Sequence, residues 1–93
     1  MEITRNDYGK KGQFTLREND QQIGKMTYTW AGESKFIIDH TEVDDNREGN
    51  GFGKKMVMEA VKFARENTIK ILPLCPFAKR VFEKNKDIQD VEF

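Results

Sequence analysis

Val43-Asp-Asp-Asn-Arg-Glu-Gly-Asn-Gly-Phe-Gly-Lys-Lys-Met56 joins a β-like run, Lys35–Val43, to the longest helical pattern in the chain, which begins near Phe52. Three glycines at alternate positions, Gly49, Gly51 and Gly53, let the backbone turn tightly and approach a ligand with no Cβ between. A helix opening from such a turn presents amides without intrahelical partners, together with the positive end of its dipole. Strand, glycine loop and helix start in that order form a site for an anion, most often a phosphate. The first helical turn carries Lys54 and Lys55 where the dipole alone favours Asp or Glu. Each lysine there costs roughly a few tenths of a kcal/mol, and a bound polyanion reverses the sign. Taken alone, the loop fits an ordinary glycine-rich turn with solvated lysines equally well.

Two familiar phosphate loops are excluded by position. A P-loop requires Gly five residues before its Gly-Lys pair and Ser or Thr after it, but position 48 is Glu and Lys55 follows Gly53-Lys54. A dinucleotide fingerprint requires a third Gly three residues after the second, where this chain has Lys54.

The rest of the chain supplies the context. Its 93 residues suit one small domain, 1–93, and its 34% of charged residues balance to zero net charge. That balance argues against a general nucleic-acid or membrane-surface binder. One cysteine excludes an intrachain disulfide, no apolar run matches a signal peptide or membrane span, and no metal-ligand set is expected. A cytoplasmic protein is the default expectation. Met1–Arg5 suits a short edge strand, and Asn6–Gly12 reads as a turn. Gln13–Glu18, Gln22–Trp30 and Lys35–Val43 alternate as strands joined by short turns, an antiparallel meander. In the last of these, alternation puts Phe36, Ile38, His40 and Glu42 on one face. Phe52 to about Asn67 is an amphipathic helix. Ile69–Leu74 is a short strand, parallel to Lys35–Val43 through a right-handed crossover, with Pro73 where pairing is interrupted. Pro76 marks the first turn of a last helix with Cys75 at its N-cap, and Asp87–Phe93 is a tail with a possible final strand. The sum is an α+β fold, α/β by some conventions: a mixed sheet in which a β-meander precedes β-loop-α-β-α.

The spacing of Gly51 and Gly53 in a loop between strand and helix resembles the acyl-coenzyme A loop of the GNAT acetyltransferase superfamily. That pattern has Gln or Arg three places before the first glycine, where this chain has Glu48. Three further elements occur in order: His40-Thr41-Glu42-Val43, Gly49–Gly53 and Pro73-Leu74-Cys75. With them the chain resembles a group of minimal acetyltransferase-like proteins along essentially its whole length. The resemblance implies acetyl-CoA as ligand and a sheet whose central strands splay apart to admit its pantetheine arm. It implies backbone contacts from Thr41, Glu42 and Val43, with Glu48, Gly49, Asn50, Gly51, Phe52, Gly53, Lys54 and Lys55 around the pyrophosphate. Lys55, Lys79 or Arg80 are candidates for the outer phosphate.

Acetyl transfer to an amine requires a neutral amine and a proton for the departing thiolate. Tyr8 and Tyr28, the only tyrosines, lie outside the segment after the main helix, where the family places its acid. Cys75 is the substitute, since a helix N-terminus favours a thiolate. The lone His40 is expected to pair with it as base, with Glu42 as the fallback carboxylate. A buried apolar cysteine and a structural histidine are the plain alternatives. The resulting expectation is an acetyl-CoA-dependent N-acetyltransferase acting on a protein lysine, a polyamine or a small amine. The alternatives are a non-catalytic coenzyme A-binding module and, third, a nucleic-acid-binding domain. The last is disfavoured by balanced charge and the lack of a basic aromatic strand.

Overall fold

The computed structural model describes all of Met1–Phe93. Four strands, β1 (Glu2–Asp7), β2 (Lys11–Glu18), β3 (Gln21–Trp30) and β4 (Lys35–Val43), form the meander. Helix α1 (Phe52–Asn67), strand β5 (Lys70–Pro73) and helix α2 (Pro76–Lys84) follow. The sheet order is β1-β2-β3-β4-β5, antiparallel except for the parallel β4–β5 pair. Asn19 and Asp20 both adopt positive φ, 52° and 66°, the conformation that a two-residue hairpin turn requires between β2 and β3.

One hydrophobic core lies between the sheet and the helices. Phe14, Leu16, Ile23, Met26, Tyr28, Phe36, Ile38 and Ile71 project from the strands, and Met56, Val57, Ala60, Val61 and Ala64 from α1. The spacing of those α1 residues follows the 3.6-residue period, so a single stripe meets the sheet. Phe36 stacks near Tyr28, with ring centroids 4.6 Å apart, and meets Trp30 edge-on. Each such side chain, fully buried, contributes about 1.5–3 kcal/mol.

Three expected boundaries move. β1 runs on through Asn6 and Asp7, which pair with Gln13 and Gly12, so the turn expected over Asn6–Gly12 shrinks to Tyr8–Lys10. Local composition favoured a turn there, but tertiary bonds anchor Asp7. Its carboxylate accepts from Trp30 Nε1 at 2.6 Å and from the Tyr28 hydroxyl at 2.9 Å. The expected final strand is a short 3₁₀ helix, Lys86–Val91, after which Glu92 bridges Ile71 and the Phe93 amide donates to the Ile71 carbonyl. That strap covers the outer edge of β5. β5 itself spans Lys70–Pro73, shorter than the expected Ile69–Leu74.

β4 also differs in the way its side chains face. The β3–β4 register passes from Tyr28↔Ile38 to Thr27↔His40, so Asp39 is an extra residue on β4, a β-bulge. Side chains directly opposite each other share a face. Beyond the bulge Thr41 therefore stands with buried Met26, while His40 and Glu42 stand with Thr27 and Lys25 on the outer face. The expected common face of Phe36, Ile38, His40 and Glu42 is broken at Asp39.

The Asp7 anchor is testable by pH. The Trp30 hydrogen bond, then the Gly9 amide, then the Tyr28 hydroxyl and Arg5 hold the Asp7 carboxyl below its ordinary value against the opposing effect of burial. Its contribution to stability is complete above the unfolded aspartate value and is lost as pH falls through the lower folded value. Asp7→Asn should accordingly flatten the acid limb of a denaturation-midpoint profile below about pH 4. An unchanged limb would remove Asp7 from the acid response.

Candidate active site

The site begins where β4 and β5 part. Their parallel pairing runs from Lys35↔Lys70 to Ile38↔Pro73 and stops. Pro73 has no amide hydrogen to extend the ladder. The chain then folds back, with the Leu74 amide on the Leu72 carbonyl and the Cys75 amide on the Ile38 carbonyl at 3.0 Å. α2 starts at the next residue. Asp39–Val43 continue with β3 on one side and no strand on the other.

A cleft of about 610 Å³ opens along this free edge. His40–Val43 form one wall, the loop from Asp45 to Gly53 closes the end, and Phe77 borders the opposite side. The glycines of the loop serve two different ends. Gly49 and Gly51 adopt φ of 85° and 75°, which L side chains rarely adopt. Gly53 is buried, and a Cβ there would lie 2.6 Å from the Phe77 ring. The missing Cβ there also lets α1 pack closely against Phe77 of α2. Asn50 Nδ2 closes the loop on the Arg47 carbonyl at 2.9 Å, and the Arg47 guanidinium is committed to Glu18.

α1 has Gly51 as its N-cap, no side-chain cap and no acidic residue in its first turn. The amides of Phe52, Gly53 and Lys54 precede the Lys55 N–H to Gly51 C=O bond. This positive helix end is uncompensated within the chain and faces the cleft, as an anion site requires.

Cys75 caps α2, with φ −62° and ψ 125°, and is 5% exposed. Its Sγ donates to Thr41 Oγ1 at 3.5 Å. Burial acts to raise the thiol, but the Ala78 amide, the Thr41 hydroxyl and the Phe77 and Thr41 amides outweigh it, so the thiol is more acidic than ordinary. The expected Cys75–His40 pair does not form. The Asp39 bulge turns Thr41 to Cys75 and sends His40 to the outer face. There His40 Nε2 lies 3.6 Å from Glu42 Oε2, and Lys25 Nζ lies 3.5 Å from Glu42 Oε1. His40 and Glu42 still border the cleft. Thr41, expected to supply backbone contacts, also supplies its hydroxyl to Cys75, and Phe77 joins the site through its place in the first turn of α2, which no sequence motif marks.

The GCN5-related N-acetyl-transferase family profile matches residues 13–91. The chain belongs to this family. It is 29% identical to Protein NATD1 of Gallus gallus over 79 residues, covering 82% of this chain and 70% of that protein. The NMR solution structure of a GCN5-like protein from Staphylococcus aureus is similar at a TM-score of 0.71 and 36% identity, covering 97% of this chain and 87% of that one. A Bacillus anthracis protein described as a streptothricin acetyltransferase, solved in complex with acetyl coenzyme A, shares the fold. Its TM-score is 0.61 at 19% identity, covering 72% of this chain and 39% of that one.

GCN5-related acetyltransferases take their acyl group from acetyl-CoA, and the residues present fit that ligand. The β4 edge offers unpaired backbone donors and acceptors to an arm that carries amides. The glycine loop and the start of α1 offer amides and positive charge to a pyrophosphate.

Two measurements probe this geometry. Gly53→Ala should lower stability by about 1–3 kcal/mol, with part recovered in the Gly53→Ala/Phe77→Ala double variant relative to additivity; strict additivity would mean that the two do not meet. Because the chain has one cysteine, its thiolate absorbance can be titrated directly. The midpoint should lie below that of a free cysteine and rise in Thr41→Val, and an unchanged midpoint would exclude the Thr41 contact.

Proposed function

We propose that this chain is an N-acetyltransferase that moves the acetyl group of acetyl-CoA to an amine across the open cleft between β4 and β5. The observation that supports this best is the free β4 edge ending at an uncompensated helix N-terminus. Bound acetyl-CoA supplies an acetyl thioester, an acyl donor whose thiolate needs a proton as it leaves. Thr41, Glu42 and Val43 would hold the pantetheine arm by backbone hydrogen bonds. Glu48, Gly49, Asn50, Gly51, Phe52, Gly53, Lys54 and Lys55 would surround the pyrophosphate. Cys75 would hold the required proton at Sγ, where the start of α2 and Thr41 keep it more acidic than an ordinary thiol. Such a proton is well matched to a thiolate of ordinary basicity. A nucleophilic Cys75 is the competing role for the same atom. His40, backed by Glu42, would take the proton of the incoming amine from the outer side of the edge.

The cleft opens to solvent along the β4 edge, which suits an amine carried on a protein lysine, a polyamine or a small molecule. A cytoplasmic location is part of this proposal, since a free thiol is compatible with that reducing compartment. The burial of Cys75 and its separation from His40 across the strand favour a second reading, a coenzyme A-binding module without turnover.

Cys75→Ala and Cys75→Ser should bind acetyl-CoA with wild-type affinity but lose acetyl transfer to a broad amine panel by at least about a hundredfold. Intact-mass analysis of wild type mixed with acetyl-CoA alone separates the two roles: an acetylated Cys75 identifies the nucleophile, and its absence identifies the acid. Unchanged turnover in Cys75→Ala would remove Cys75 from the mechanism. Binding by wild type with no turnover on any amine would favour the module.

A further inference from the structure

The two edges of the sheet differ. β5 is covered by the Lys86–Phe93 strap, through the Phe93 amide on the Ile71 carbonyl, whereas β1 pairs with β2 alone. The Tyr8 amide donates to the Lys11 carbonyl at 2.7 Å, and in an antiparallel ladder the bonded residues alternate. Asn6, Thr4 and Glu2 therefore turn their backbone groups to β2, while Ile3, Arg5 and Asp7 turn theirs outward, where no other strand meets them. Proline, lysine or a bulge commonly blunts such an edge. Glu2–Asp7 has neither proline nor lysine, and its ladder runs without a shift in register. Inward-pointing charges are another such device, but here both are taken up within the chain. Arg5 donates to the Tyr28 hydroxyl at 2.8 Å and lies 4.0 Å over the Phe63 ring, and Asp7 accepts from Trp30 and Tyr28.

Beneath the bare edge, between β1 and α1, lies a slot of about 200 Å³ lined by Ile3, Arg5, Phe14 and Phe63. On its α1 side Glu59 and Glu66 offset Lys62 and Arg5, so the slot suits an apolar side chain and gives a charged partner no advantage. β1 itself is the matching strand. We propose that two copies of this chain join edge to edge through β1, antiparallel about a two-fold axis at Thr4, into one sheet with five strands from each copy. In that register Ile3 faces Arg5 of the second copy, Glu2 faces Asn6 and Thr4 faces Thr4, so no like charges meet. The Ile3–Arg5 pairs are those whose backbone groups point outward, and each pair exchanges hydrogen bonds. Ile3 and Arg5 share the helix side of the sheet, since they pair with buried Leu16 and Phe14. Each Ile3 therefore enters the other copy's slot beside Arg5 and Phe63. A slip of one residue sets inner against outer faces, and a slip of two sets Arg5 against Arg5 or shortens the joint. The cleft lies at the β4–β5 side of the sheet, so the joint leaves it open and does not depend on the acetyl-CoA reading.

Sedimentation velocity of the full chain from about 1 μM to about 1 mM tests the joint. The mass should rise from 10.9 kDa toward twice that value over this range, because a joint of one strand and one side chain is small and its dimer weak. At the upper concentration the amides of Ile3 and Arg5 should exchange hydrogen more slowly than in dilute protein. Ile3→Lys sets a cation against Arg5 of the second copy and should hold the protein monomeric, its fold checked by circular dichroism. Ile3→Glu loses the same apolar contact but meets that arginine with the opposite charge, and should retain the dimer. A chain that stays at 10.9 kDa throughout, a dimer that survives Ile3→Lys, equal loss in the two variants, or unchanged exchange at Ile3 and Arg5 would each overturn the proposal.

Discussion

Everything at the candidate site follows from the parting of β4 and β5 after Ile38 and Pro73. A parallel pair buried in a sheet normally keeps its ladder to the strand ends, because an unpaired backbone group away from water costs free energy. Here proline withholds one donor, the strand ends at that residue, and α2 starts three residues later at Pro76. The consequence is a length of β4 with one side unsatisfied. A ligand with amides of its own can complete that edge, much as an added strand completes a sheet.

The same parting sets the positions of both helix starts. α1 begins at Phe52 after a loop that two left-handed glycines make possible, and α2 begins at Pro76 beside Thr41. Phe77 lies against Gly53 and ties the two starts together. One cleft therefore receives the positive end of α1, while the α2 start lowers the thiol pKa of Cys75 at the point where the strands separate. In the proposed mechanism binding falls to the start of α1 and chemistry to the start of α2, and Phe77 against Gly53 is one of the contacts that join them.

Much of this was legible in the sequence because the elements concerned obey short periods. The strands of the meander alternate, α1 carries a 3.6-residue stripe, and Pro76 after Cys75 marks a helix start. What escaped was decided by partners far along the chain. No glycine or proline announces the Asp39 bulge; it exists because Tyr28 faces Ile38 while Thr27 faces His40. That single extra residue exchanges the faces of His40 and Thr41, so the expected Cys75–His40 pair gives way to Cys75–Thr41. Asn6 and Asp7 likewise read as turn formers until Trp30 and Tyr28 supply donors to the Asp7 carboxylate. Gly53 looked like its two neighbouring glycines, and only the position of Phe77 reveals its additional purpose.

The central claim is that the free edge of β4 and the start of α1 together form one acetyl-CoA site. Amide chemical shifts recorded during titration with acetyl-CoA test it most directly. The account predicts that the amides of Thr41–Val43, Gly49–Met56 and Cys75 move together along one saturating curve, while those of β1 and the β2–β3 turn stay in place. Saturable binding that leaves Gly49–Met56 and Cys75 unmoved would contradict it.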